Sequence, residues 1–291
     1  MFSASDVKTL REKTGAGMLD CKKALEACEG NLDNAIDWLR EKGIAKAQKK
    51  SDRIAAEGLS QIFTNGNNAI ILEVNSETDF VAKNDEFKNF VNVLGNALLN
   101  STVETMEDAL KLEVNGETVE SMIMSITAKI GEKISFRRFT RLTKNDNESF
   151  GGYLHMGGKI ASLVLVEGNN ENIAREVAMH AAAMRPLYVN ANEVPTEVLE
   201  KEKDIMRQEL LNEGKPADKI ENILVGKVRK FYEEVCLENQ IFVKAENKET
   251  VEKYLANNNS KLITMIRYEV GEGMEKRNDD FASEVMSQIN G

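Results

Sequence analysis

Apolar residues fall at three- and four-residue spacing along the first fifty positions. One set is Val7 and Leu10, a second is Cys21, Ala24, Leu25 and Cys28, and a third is Leu32, Ala35, Ile36 and Leu39. Each set lies on one face of a helix. Ser5 is placed to cap the first helix, which stops near Gly15-Ala16-Gly17. The second runs from about Met18 to Gly30, Asn31 caps the third, and Gly43 supplies its stop. The pattern predicts a compact three-helix module with a small apolar stripe. Docking on a partner and a self-contained bundle fit that stripe equally. The run Lys42, Lys46, Lys49, Lys50 and Arg53 follows without interleaved aromatics. It reads as a solvated linker helix rather than a nucleic-acid surface.

The middle of the chain repeats. An offset of 92 residues lays Ile71-Leu72-Glu73-Val74 on Leu163-Val164-Leu165-Val166 and Gly66 on Gly158. Each copy reads strand, glycine turn, strand, helix. The first helix follows Asn84, with Phe87, Phe90, Val91, Leu94, Ala97 and Leu98 on its apolar face. The second follows Asn172, with Ile173, Val177, Ala181 and Met184. Further on, Glu117-Thr118-Val119-Glu120 recurs as Glu249-Thr250-Val251-Glu252, an offset of 132. Each tetrapeptide opens a helix that leads to a strand, Ile134-Ser135-Phe136 in one copy and Ile263 to Tyr268 in the other. The growth in offset predicts about 40 extra residues in the second copy. Two amphipathic segments supply them, one from Thr196 to Leu211 and one carrying Ile220, Ile223, Leu224, Val228, Phe231 and Val235. Gly214-Lys215-Pro216 breaks between them, so they form an antiparallel hairpin. Its stripe either meets a partner or a second copy, or folds back on its own chain.

The fold class is therefore α+β. The expected domains are a three-helix module with basic linker at 1–52, a first subdomain at 53–147, and a second at 148–192 and 238–270. The hairpin insertion occupies 193–237, and 271–291 forms a C-terminal piece. Each subdomain is a small antiparallel sheet with helices on one face.

Composition narrows the chemistry. The net charge is −10, from 38 basic and 48 acidic residues, which argues against general nucleic-acid binding. No apolar run approaches the roughly 18 residues of a membrane span. The start, MFSASDVK, lacks a signal-peptide core. Cys21 and Cys28 stand two helical turns apart, about 10 Å, too far for a disulfide. With no CxxC, a reducing, cytoplasmic setting is expected. The two histidines, His155 and His180, lack metal-pair spacing, and no phosphate loop or nucleophile elbow occurs. No metal, cofactor or catalytic residue is expected, and the chain reads as no enzyme. Cys21, Cys28 and Cys236 read as core residues on helix faces, and His180, in an alanine-rich helix, as a packed or hydrogen-bonded one.

One short stretch stands apart. In "TDFVAKND", Thr78 to Asp85, an acid and an aromatic, Asp79-Phe80, sit between strand and helix. Thr78 or Asp79 can cap a turn, Asn84 can start the next helix, and Phe80 can be core. Yet Phe80 lies outside the apolar register and completes no hydrophobic staple. An acid beside an aromatic on a tight turn is also how a wedge would look. The pattern alone favours the cap and core reading.

Four stretches shift that balance: "TGAGMLDCKKAL" (Thr14 to Leu25), "SETDFVAKNDEF" (Ser76 to Phe87), "GKVRKFYEEVCLENQIF" (Gly226 to Phe242) and "YEVGEGMEKRNDDFASEV" (Tyr268 to Val285). Together, and in order along essentially the whole chain, they closely resemble the translation elongation factor Ts family. The resemblance implies a guanine-nucleotide exchange factor for elongation factor Tu. It implies that the first module is ubiquitin-associated-like and docks on the GTPase domain. It also implies two homologous subdomains, a coiled-coil hairpin leaving the second, and a C-terminal helical module that contacts Tu, beginning near Val270 to Met274. Thr78, Asp79, Phe80 and Val81 become a wedge. Phe80 would insert between GTPase helices, and Asp79 would disturb the region holding Mg²⁺. His180, in "MHAAAMRP", would support that contact. Arg11, Met18, Leu19 and Lys22 would flank the docking turn, and Gly158 would contribute from the second hairpin turn. The arm varies across the family, so pairing two copies, contacting Tu and doing neither all stay open. A helical adaptor without effect on nucleotide is the alternative from another class. A carboxylate hydrolase is a remote third, with no clustered acids to suggest it.

Overall fold

The computed structural model of the chain describes residues 2–275, and of Ile44 and Lys46 only the backbone. Three helices come first: α1 (Ala4–Thr14), α2 (Met18–Ala27) and α3 (Leu32–Gln48). Then follow β1 (Glu57–Asn65), β2 (Asn68–Ser76), α4 (Asp79–Lys83), α5 (Asp85–Leu99) and α6 (Met106–Lys111). The short β3 (Glu113–Val114) and β4 (Glu117–Thr118) lead to α7 (Val119–Ile130) and β5 (Ser135–Thr143). The second series is β6 (Glu148–His155), β7 (Ile160–Glu167) and α8 (Glu171–Met184). It continues through α9 (Thr196–Asn212), α10 (Ala217–Val235), α11 (Val251–Asn257) and β8 (Lys261–Glu269). The fold is mixed α+β, with three-stranded sheets in the orders β1-β2-β5 and β6-β7-β8.

The first three helices share a core of Leu10, Cys21, Ala24, Leu25 and Ala35. Ser3, not Ser5, caps α1. The Ser3 hydroxyl accepts from the Asp6 N–H, and the Asp6 carboxylate accepts from the Ser3 N–H at 2.7 Å. That closed capping box leaves Ser5 inside the helix. Gly43 does not stop α3, which runs on to Gln48. Instead it lets α3 approach α7, because a Cβ there would stand 3.1 Å from the Ala128 Cβ. Cys28 and Cys236 follow their helices at C-cap positions rather than lying on helix faces.

The offset of 92 residues lays β2 on β7 and the N-cap of α4, Thr78, on the N-cap of α8, Asn170. The second helix thus starts ahead of Asn172. The Asn170 side chain accepts from the Ile173 N–H at 3.2 Å and leaves Asn172 within the first turn. In the second copy the helix is continuous, whereas in the first it breaks and restarts at Asn84. The repeated tetrapeptide behaves alike in both copies: Thr118 caps α7 and Thr250 caps α11. In β6, a Cβ on Gly151 would lie 2.0 Å from the Ala174 carbonyl carbon, so α8 crosses that strand against bare backbone.

The helices α9 and α10 pack together as a hairpin. Leu210, Ile220 and Leu224 are buried there. Arg207 pairs with Glu221 at 3.1 Å and Lys227 with Glu209 at 2.9 Å.

The chain gathers into two compact units. One holds residues 2–61, 72–139 and 269–275, and the other Ile62–Ile71 and Thr140–Tyr268. The division does not follow the expected boundaries at 52, 147 and 192. In the first unit the three-helix module is held on α7, with Arg40 donating to the Ser121 hydroxyl at 3.1 Å. In the second, Ala69 and Ile71 from the tip of the β1-β2 hairpin share a core with Ala161, Leu163 and Tyr268. Among the described residues no helix is long and apolar enough to cross a membrane. The C-terminal module expected at 271–291 lies, beyond Glu275, outside the described residues.

Candidate functional site

Strand β2 is central in its sheet and buried from Ala69 to Ser76. It delivers the chain to Glu77 and Thr78. The Thr78 hydroxyl accepts from the Val81 N–H at 3.4 Å and caps α4. That helix lasts five residues. It ends because the extended Asn84 begins the next cap, its side-chain oxygen accepting from the Glu86 N–H at 2.8 Å. Val81 and Ala82 turn into the core, while Phe80 is 81% exposed. The cap-and-core reading is thus half right. Thr78 caps, but Phe80 is no core residue. Each helical residue rotates its side chain by about 100°, and Val81 and Ala82 occupy the buried face. Beside Phe80, the half-buried Asp79 carboxylate accepts from Lys83 at 2.7 Å, one helical turn on. Such an exposed pair contributes only about 0.3–0.5 kcal/mol, so a partner can compete for either charge.

Two carboxylates fix this segment from below. Glu132 accepts from the Thr78 N–H at 3.0 Å and from its hydroxyl at 2.7 Å. Glu77 accepts from the Lys133 N–H at 2.6 Å and from Arg53 at 3.3 Å. Glu132 and Lys133 follow Gly131, whose left-handed conformation ends α7.

The docking residues expected near the N-terminus lie on the surface. Met18 and Leu19, in the first turn of α2, are 58% and 75% exposed. Arg11 and Lys22 are exposed as well, Lys22 facing Glu26 at 3.8 Å. The Lys129 side chain of α7 lies against Gly15 and also pairs with Glu86 of α5. One helix therefore supports both the Gly15–Gly17 turn and the segment beyond β2.

His180 is elsewhere in character. It is fully buried, so it cannot touch a partner itself. The Val243 N–H donates to Nδ1 at 3.1 Å, which leaves Nε2 to carry the proton and donate to the Gln240 side-chain oxygen at 3.0 Å. The Gln240 amide donates on to the Glu234 and Met184 carbonyls. Burial holds the imidazole below its usual range, partly opposed by the bond to Gln240. These bonds hold the loop at Gln240–Val243, where Ile241 and Val243 are exposed. Gly158 is buried too. It closes the turn between β6 and β7 at a φ of 96°, and its neighbour Met156 is exposed.

The sequence pattern missed two groups. One is Glu132, 54 residues from Thr78. The other is Glu73, hidden within an apolar strand. Its buried carboxylate accepts from Arg137 at 3.0 Å, Arg138 at 2.6 Å, Asn75 at 3.1 Å and the Gly271 N–H at 2.9 Å. This pins the Val270–Met274 turn to the sheet. Nothing local marks either residue. Among the described residues no three His, Cys, Asp or Glu side chains come together as a metal site.

A protein-family model described as elongation factor TS matches residues 77–272. The matched span opens one residue before Thr78 and takes in Phe80, Glu132, His180 and the hairpin. It covers about two thirds of the 291 residues, and the chain accordingly belongs to the elongation factor Ts family.

Proposed function

We propose that this chain is a guanine-nucleotide exchange factor that binds elongation factor Tu carrying GDP and speeds GDP release. The observation that carries the reading is the 81% exposure of Phe80 on a short, firmly capped helix, with Asp79 beside it. A large aromatic held out in water is ready to enter another protein's apolar cleft. A GTPase holds GDP through backbone amides and a lysine around the phosphates, together with Mg²⁺. Phe80 entering between GTPase helices strains that cradle. Asp79 set near the metal's waters loosens Mg²⁺ and with it the charge that offsets the phosphates. No bond is made or broken by this chain, so it is not an enzyme in its own right. It acts by binding the nucleotide-free partner better than the GDP-bound one. Reciprocity requires that GDP weaken the chain's grip on the partner by the same factor by which the chain weakens that of GDP. GTP then rebinds, which places the chain in translation elongation in the cytoplasm.

The remaining parts take supporting roles in this reading. Met18 and Leu19, flanked by Arg11 and Lys22, dock the ubiquitin-associated-like module on the GTPase domain. His180 and Gly158 shape a second contact surface, and the Val270–Met274 turn starts a third. The two element series are homologous subdomains, and the coiled-coil arm is free to pair two copies.

Stopped-flow release of a fluorescent GDP from elongation factor Tu at fixed Mg²⁺ tests the reading. Wild type is expected to speed release by orders of magnitude. Asp79→Ala combined with Phe80→Ala is expected to bind without doing so. Equal behaviour of the two would reject the wedge. No acceleration by wild type would leave the adaptor reading in its place.

A further inference from the structure

We propose that Glu132 is a positioning residue for exchange: it sets the direction in which Phe80 leaves the surface. The inference rests on the exchange-factor reading above.

The geometry of Thr78 carries it. Its hydroxyl has one proton and two lone pairs. A carboxylate can only accept, so the bond to Glu132 at 2.7 Å sends the proton there and leaves a lone pair for the Val81 N–H. The same carboxylate takes the Thr78 N–H at 3.0 Å. One group thus fixes both the backbone and the side chain of the residue that starts α4. Charge-assisted bonds of this kind are the stronger class. The neighbouring bond from the Lys133 N–H to Glu77 runs the opposite way and locks the two segments together.

The arrangement matters because α4 cannot hold itself. A helix of five residues is far below the length that is stable alone. Its direction comes from its cap and from the buried Val81 and Ala82. Phe80 is too exposed for packing to fix its own placement. A small rotation at Thr78 would swing the whole ring. Glu132 also follows directly on α7, the helix whose Lys129 lies against Gly15. The docking turn and the cap of α4 are therefore tied to the two ends of one short stretch, Lys129 to Glu132.

The test uses the full chain and fluorescent GDP on elongation factor Tu, with the factor titrated to saturation. Maximal release rate and half-saturating concentration are read separately. For Glu132→Ala the maximal rate is expected to fall about ten- to a hundredfold, the scale of an ångström-sized misplacement. The half-saturating concentration stays near that of wild type, because the exposed Met18 and Leu19 still dock. Glu132→Gln, whose amide oxygen can still accept one Thr78 bond, recovers part of the rate. Thr78→Val removes the hydroxyl without removing a carboxylate, lowers the maximal rate in the same way, and decides the matter if Glu132→Ala does not fold. A wild-type maximal rate in Glu132→Ala, or in Thr78→Val where that variant decides, overturns the proposal. So does a parallel loss of rate and half-saturation with a lowered melting temperature, which marks a merely structural residue. Wild type and Phe80→Ala serve as references. If wild type fails to release GDP, the exchange reading itself is lost. If only Phe80→Ala is impaired, the clamp alone is wrong.

Discussion

Phe80 and Val81 are neighbours in sequence and opposites in exposure, at 81% and 9%. An exposed side chain contributes little to folding, so Phe80→Ala is expected to shift stability by no more than about 0.5 kcal/mol in urea unfolding. His180 is the reverse case. Alanine there would strip the partner from the buried Gln240 oxygen, at about 1–3 kcal/mol, and from the part-buried Val243 N–H. Its titration has a definite sign. The folded chain holds His180 below its usual 6.5, so between the two values only the unfolded chain takes the proton. That part of the stability is complete above pH 6.5, falls as pH drops toward the folded value, and levels off below it. Urea midpoints at pH 7.5 and pH 5.5 should therefore differ more for wild type than for His180→Gln.

At the scale of elements, the two copies show what one cap can do. Asn84 splits in the first copy what runs unbroken as α8 in the second. The split leaves a five-residue helix whose exposed face is free for other use. Two glycines test how tightly other elements meet. Gly151→Ala would drive a methyl into the Ala174 backbone at 2.0 Å, and is expected to cost about 3 kcal/mol. Gly226, within α10, has open space around its Cβ position. Gly226→Ala is therefore expected to stabilise the chain by up to about 1 kcal/mol through helix propensity alone. Opposite shifts of the urea midpoint check both.

For the whole molecule, the buried Glu73 ties together parts far apart in the chain. It joins β2 to Arg137 and Arg138 of β5 and to Gly271, 198 residues further along the chain. Removing one partner of such a pair strands the others, so Glu73→Gln is expected to cost about 3 kcal/mol. Chemical unfolding measures it, and a steeper loss for Glu73→Gln than for Lys83→Ala would separate the buried network from the surface pair. The tip Ile62–Ile71 of one hairpin belongs with the second unit because its apolar residues find their core there.

What the sequence determined by itself is local. Helical spacing marked the first three helices, alternation and offset marked the two hairpins, and the added length marked α9 and α10. Caps such as Asn31, Thr78 and Asn84 were legible because capping acts within about four residues. The motif around Asp79-Phe80 was legible as a resemblance, not as an exposure. Only the tertiary structure decided which way Phe80 faces, that His180 is buried, and that α3 passes through Gly43. It alone supplied Glu132 to Thr78 and Glu73 to Gly271. The reason is distance along the chain: these partners lie 54 and 198 residues apart, and periodicity carries no record of which acid will meet which amide.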